Sequence, residues 1–174
     1  MTDYRRFRVE GGTYFFTVNL AERHRKLLTE HIGALKDAFR AVKQAHPFTI
    51  DAIVILPDHL HTIWTLPTGE QNFSLRWRQI KSAFSRAMEK GERVSESRSC
   101  KGERGIWQRR FWEHVIRDEK DFSRHVDYIH YNPVKHGHVQ AVSSWPYSSF
   151  HRYVRLGIYP NDWASPETNE LDFE

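Results

Sequence analysis

The stretch Leu56-Pro57-Asp58-His59-Leu60-His61-Thr62-Ile63-Trp64-Thr65-Leu66 decides how the rest of the chain is read. Pro57-Asp58 is turn chemistry, and β-formers follow it. The preceding run, Phe48–Leu56 (FTIDAIVIL), is equally rich in β-formers. The two runs therefore make an antiparallel hairpin across Pro57-Asp58. On a strand, residues i and i+2 share a face. His59 and His61 would project side by side, close enough for both rings to meet one metal ion. The plainer alternative is one core and one surface histidine, since eleven histidines in 174 residues produce such pairs by chance.

Outward from the hairpin, Thr13–Leu20 (TYFFTVNL) reads as a central strand. Ile32, Leu35, Phe39 and Val42 recur at helical spacing, which predicts a helix from about Glu30 to Ala45, ended by Pro47. Trp77, Ile80, Phe84 and Met88 predict a second helix from about Ser74 to Lys90. Its Arg76, Arg78 and Lys81 are either a solvated face or phosphate contacts. The polar, aperiodic segment 91–105 reads as a mobile surface loop. Ile106–Ile116 (IWQRRFWEHVI) reads as a fourth strand. Its Trp107, Arg109, Arg110 and Trp112 mix stacking rings with positive charge, as single-stranded nucleic-acid sites do. The order strand, helix, strand, strand, helix, strand is the ferredoxin-like βαββαβ pattern of the α+β class, with helices on one face of an antiparallel sheet.

Composition narrows the function. Charged residues make up 28% of the chain and no apolar run approaches a membrane span, so a soluble globular domain is expected. The single Cys100 excludes a disulfide framework and a cysteine-based zinc site, and fits a reducing cytoplasm. No apolar segment follows the basic N-terminus, so no secretory signal is expected. The net charge of +4 points towards nucleic acid. Glu167, Glu170, Asp172 and Glu174 crowd the tail, which leaves the remainder more basic still. In the arm, Arg5, Arg6 and Arg8 could hold phosphates while Tyr4 or Phe7 stacks on a base; the alternative is a solvated terminus.

A further helix is expected from about Lys120 to Tyr131, with Phe122, Val126 and Ile129 on its apolar side. Arg124, Tyr128 and Asn132 fall together at i, i+4 and i+8. If this helix packs beside the His-Leu-His strand, Asn132 completes a site of two imidazoles and an amide oxygen, suited to Mg²⁺ or Mn²⁺ acting on a phosphate. Alternatively, Asn132-Pro133 is a helix N-cap followed by proline at the first helical position. Tyr131 competes with Tyr128 as nucleophile, but Lys135 rather than an amide stands one turn further on.

Pro57-Asp58-His59-Leu60-His61 followed by Tyr128-x-x-x-Asn132 resembles the single-tyrosine HUH transposases. Tyr4-Arg5-Arg6, Gly11–Val18, Ile63–Pro67, Arg110–His114 and Val126–Gly137 extend the likeness to the REP-associated tyrosine transposases. In that branch asparagine is expected where insertion-sequence relatives carry glutamine. The resemblance implies a transposase domain over residues 1–138 with an added C-terminal catalytic helix, and an extension over 139–174. It implies Tyr128 as nucleophile, giving a 5′-phosphotyrosine, and His59, His61 and Asn132 as ligands of Mg²⁺ or Mn²⁺. It further implies single-stranded, hairpin-forming REP DNA as partner, a monomer acting in cis, and a cytoplasmic, nucleoid-associated location. On this reading the arm meets the single-stranded foot of the hairpin and the second helix meets its stem. A non-catalytic ferredoxin-like nucleic-acid module and a water-using phosphohydrolase are the rivals. Neither explains His-x-His together with Tyr-x-x-x-Asn.

Overall fold

Pairing of β1 (Thr13–Asn19) with β3 (His59–Thr65) forms the middle of a four-stranded sheet. The computed structural model describes residues 6–164. β2 (Thr49–Ile55) and β4 (Trp112–Val115) flank that pair, giving the order β2-β3-β1-β4 with every neighbour antiparallel. This is the βαββαβ sheet expected from the sequence. The hairpin is tight: the Leu56 amide donates to the His59 carbonyl around Pro57-Asp58.

One face of the sheet carries Tyr14, Phe16, Val18, Leu60 and Trp64, all buried. They pack against α2 (Ile32–Ala45) and α3 (Phe73–Ala87). The helices present the expected stripes, Leu35, Phe39 and Val42 from one and Trp77, Ile80 and Phe84 from the other. Short α1 (Leu27–Glu30) precedes them. The opposite face carries Phe15, Ala52, Val54 and Ile63 and is covered by α5 (Glu119–Lys135) through Val126 and Ile129. The two crossover helices thus share one face, as expected, and the added helix α5 covers the other. The sequence of β3 records this: every residue from His59 to Trp64 is buried, as in strands covered on both sides.

Several expectations need correction. The segment 91–105 contains α4 (Glu96–Cys100) and is held down by arginines. Arg98 donates to the Arg104 and Trp107 carbonyls, each at 2.7 Å, and Arg104 donates to the Ser85 carbonyl at 2.7 Å and pairs with Glu92. The fourth strand is only four residues long. Trp107 bridges Leu20 outside it and is buried in the core, so it offers no stacking surface. α5 does not stop at Tyr131 but continues through Pro133 to Lys135, and Gly137, at φ +74°, ends it. Asn132 is therefore not an N-cap.

Beyond α5 the chain returns to the edge of β2. Ser149 exchanges backbone and side-chain hydrogen bonds with Ile53, and Trp145 Nε1 donates to the Ile55 carbonyl at 3.0 Å. Tyr153, in α6 (Phe150–Arg155), donates to the Asp51 carbonyl at 2.7 Å. An otherwise open sheet edge is thereby covered. Among the described residues no helix is long and apolar enough to cross a membrane.

Candidate functional site

His59 and His61 sit on the α5 face of β3 with ring centroids 5.0 Å apart, as strand alternation requires. β-sheet register supplies their supports. Thr17 lies directly opposite His61 on β1, and its hydroxyl meets His61 Nδ1 at 2.7 Å. Asp58 Oδ1 meets His59 Nδ1 at 2.8 Å, and Arg23 holds the other carboxylate oxygen at 2.5 Å. Burial pushes the Asp58 carboxyl up, but the hydrogen bonds from Arg23 and His59 outweigh it and hold it below its ordinary value. With each Nδ1 engaged, each ring presents Nε2, the arrangement by which a carboxylate or hydroxyl orients a metal-binding imidazole.

Both imidazoles are biased towards the neutral form a ligand needs. Burial lowers His59, against the pull of Asp58. His61 is pushed down to about 3, first by burial and then by the charges of His59, His136 and Lys135, with the Asn132 amide acting the other way. Asn132 comes from the far end of α5 and is fully buried. Seven buried side-chain polar atoms among the described residues lack a hydrogen-bond partner, and His61 Nε2, Asn132 Oδ1 and Asn132 Nδ2 are three of them. Unsatisfied buried polar atoms are costly, so three at one place call for a ligand that uses them. Two imidazole nitrogens and an amide oxygen fit a divalent cation.

Tyr128 is one turn before Asn132 on α5. Its ring stands 5.3 Å from that of His61 and 6.0 Å from that of Phe15. Lys135 Nζ lies 5.0 Å from the Tyr128 ring centroid. Tyr128 opens into a cavity of about 590 Å³ that it shares with Trp112, Arg117, Arg124, Lys135 and Asp121. Trp112 is 60% exposed there. Tyr131, the competing tyrosine, packs instead with Val134 against Val142 and Phe150. Asp127 bonds the Tyr159 hydroxyl and His130 bonds Ser149, so neither neighbour is aimed at Tyr128.

The structure spreads the other candidate residues more widely. Tyr4, Arg5 and the acidic tail lie outside the described residues. The Arg6 guanidinium sits 4.1 Å from the Phe111 ring centroid and Arg8 5.6 Å from that of Phe73. Arg78 and Lys81 line a second cleft of about 580 Å³ together with Arg109. Lys81 is pushed down to about 8 by burial, then by Arg6 and Arg98, and donates to the Gln108 carbonyl at 3.0 Å. Arg109 is tied to Glu103 at 2.9 Å, and Arg110 is exposed. Arg76 is a correction. It is 2% exposed, and its guanidinium donates to the carbonyls of His46, Asn72 and Pro47, so it staples α3 to the end of α2 and cannot reach DNA.

Sequence reasoning missed four residues of this region. Asp58 was read only as turn chemistry, although an Asp beside a candidate ligand His was a usable signal. Thr17 is assigned by cross-strand register, which the sequence does not print. Lys135 and His136, the latter with its ring 5.2 Å from His59, became visible only once α5 was seen to pass Pro133.

A family model described as "Transposase IS200 like" matches residues 9–132. A REP-associated tyrosine transposase of Escherichia coli (strain K12) is 52% identical over 169 residues, covering 97% of this chain and 94% of that protein. The chain belongs to the IS200-like transposases, in their REP-associated tyrosine branch. A Haemophilus influenzae relative is 48% identical over 165 residues, covering 94% of both chains. The structure of a REP-associated tyrosine transposase bound to a REP hairpin superposes with a TM-score of 0.82 at 50% identity, over 97% of this chain and 94% of that one. In this REP-associated tyrosine transposase the matched region runs from Val9, just past the basic residues of the arm, to Asn132, so both halves of the site fall within it.

Proposed function

We propose that this transposase cleaves and rejoins single-stranded DNA at REP-type hairpins through Tyr128, with a divalent cation, Mg²⁺ or Mn²⁺, held by His59, His61 and Asn132. The observation that carries the reading is the set of orphaned ligand atoms on His61 and Asn132, one helical turn from a tyrosine that opens into a basic cavity. The similarity to a hairpin-bound relative supports the substrate class.

When bound, the cation supplies Lewis-acid polarisation of the scissile phosphate. The chain's own residues do the rest. Arg117, Arg124 and Lys135 give the cavity positive charge for the DNA backbone. Trp112 offers an exposed ring on which a base can stack. Tyr128 gives up its phenol proton to solvent and its Oη attacks phosphorus, the bond to the 3′ oxygen breaks, and that oxygen takes up a proton. The products are a 5′-phosphotyrosine and a free 3′-OH. Attack by a 3′-OH on the phosphotyrosine reverses the step and returns the phenol, so no nucleotide cofactor is consumed. Lys135 is placed to steady the charge that develops on the phosphate and the phenol oxygen. Tyr128 stands beside His61 of its own chain, which supports a monomer acting in cis.

The test is incubation of the protein with a single-stranded REP hairpin and Mg²⁺ or Mn²⁺, followed by a denaturing gel. The reading predicts an SDS-resistant adduct that is lost with Tyr128→Phe and with EDTA, while hairpin binding by Tyr128→Phe persists. Cleavage that survives Tyr128→Phe without an adduct would show hydrolysis by water instead.

A further inference from the structure

His114 on β4 and Asp121 and His125 on α5 form a second constellation, separate from His59, His61 and Asn132. Asp121 and His125 are four residues apart and share a helix face. β4 places His114 against that face. His114 Nε2 meets Asp121 Oδ2 at 2.8 Å, and His125 Nδ1 lies 3.2 Å from Asp121 Oδ1. The two imidazoles stack with centroids 4.7 Å apart and planes 17° from parallel. One ligand atom from each of the three residues lies within 4.8 Å of the others.

We propose that His114, Asp121 and His125 bind a second divalent cation, of the borderline transition-metal class such as Zn²⁺, Co²⁺ or Ni²⁺. Two imidazoles and one carboxylate with open positions is a recurrent donor set for these ions. Bonds of about 2.0–2.1 Å around a tetrahedral ion set neighbouring ligand atoms about 3.3 Å apart. The rings now lie in nearly parallel planes, so binding requires the two imidazoles to turn about their side-chain bonds until both lone pairs meet beside the Asp121 carboxylate, starting from ligand atoms already within 4.8 Å of one another. Asp121 is supported from behind by the Arg117 amide, which donates to Oδ2 at 3.0 Å, and His125 Nδ1 also contacts the Asp121 carbonyl at 2.8 Å. Without an ion, the same atoms satisfy one another as a hydrogen-bonded clamp between β4 and α5.

The three residues line the cavity into which Tyr128 opens. An ion held by them would therefore border the space proposed for the DNA backbone. This consequence rests on the DNA-cleavage reading; the binding of the ion does not.

The experiment is a Co²⁺ titration of the metal-free full-length chain, followed by d–d absorption, with Cys100→Ser removing the one thiol and a weak competing chelator masking lone surface histidines. Two equivalents are expected for that background. His59→Ala with His61→Ala should leave one, and His114→Ala with His125→Ala should remove the other. Asp121→Asn keeps the size of the side chain and should weaken that second equivalent at least tenfold, with far-UV circular dichroism confirming the fold. If substituting His114 and His125 leaves the stoichiometry unchanged, the proposal is wrong. Loss of only the equivalent at His59 and His61, or its absence, bears on the cleavage reading, so the two accounts fail separately.

Discussion

Asn132 on α5 and Arg76 on α3 are both polar residues buried within a helix, and their partners lead to opposite conclusions. Asn132 is fully buried with neither amide atom satisfied, whereas Arg76 is as deeply buried with its donors on three carbonyls. Removing an unsatisfied polar group relieves a desolvation cost, so Asn132→Leu should hold stability or raise it by about 1 kcal/mol while abolishing the adduct. Urea unfolding and the adduct gel measure the two effects; a large loss of stability would mean the amide has a structural partner. Arg76→Met strands three carbonyls and should cost about 2–4 kcal/mol in urea unfolding, with hairpin affinity per folded molecule unchanged. A specific loss of affinity instead would return Arg76 to the DNA interface. The positions of His59, His61, Tyr128 and Asn132 were legible because strand and helix periods fix which residues share a face. The burial of Arg76 was not, because it depends on where the end of α2 falls.

At the scale of elements, local pattern specified β1, the β2–β3 hairpin, α2 and α3: the two helices have a clean apolar period, and the strands are dense runs of β-formers set off by turn chemistry. β4 and α5 were misjudged at their ends. Aromatic density around Trp107 and Phe111 looked like strand, although Trp107 is a core plug, and Pro133 looked like a helix start although α5 runs through it. Among the bonds by which the C-terminal segment covers the β2 edge, one hydroxyl makes three. Ser149 Oγ accepts from the Ile53 amide at 2.8 Å, donates to the Ile53 carbonyl at 3.1 Å and meets His130 Nε2 at 2.7 Å. Ser149→Ala should therefore cost about 1–3 kcal/mol and speed amide exchange at Ile53. Unchanged exchange there would show that the Ser149 hydroxyl does not hold the edge.

The whole molecule carries a pH dependence that follows from its buried histidines. His61 and His130 are each pushed down to about 3, in both cases first by burial. Their neutral forms are favoured by the fold, so between their ordinary pKa of about 6.5 and 3 the unfolded chain binds more protons than the folded one. Their stability contribution is complete above about pH 6.5 and is lost as pH falls below it, at up to about 1.4 kcal/mol per pH unit for each histidine. The urea midpoint without metal should drop between pH 7 and pH 5, a range in which carboxylates contribute little. His130→Gln should flatten the drop; an equally steep drop in that variant would remove His130 from the account. The central claim concerns one bond, between Tyr128 and a 5′ phosphate. Its most direct measurement is mass spectrometry of the protease-digested adduct formed on a REP hairpin. The account predicts the nucleotide mass on the Tyr128 phenol, with Tyr131 unmodified. The mass on Tyr131, or on any residue outside α5, would contradict it.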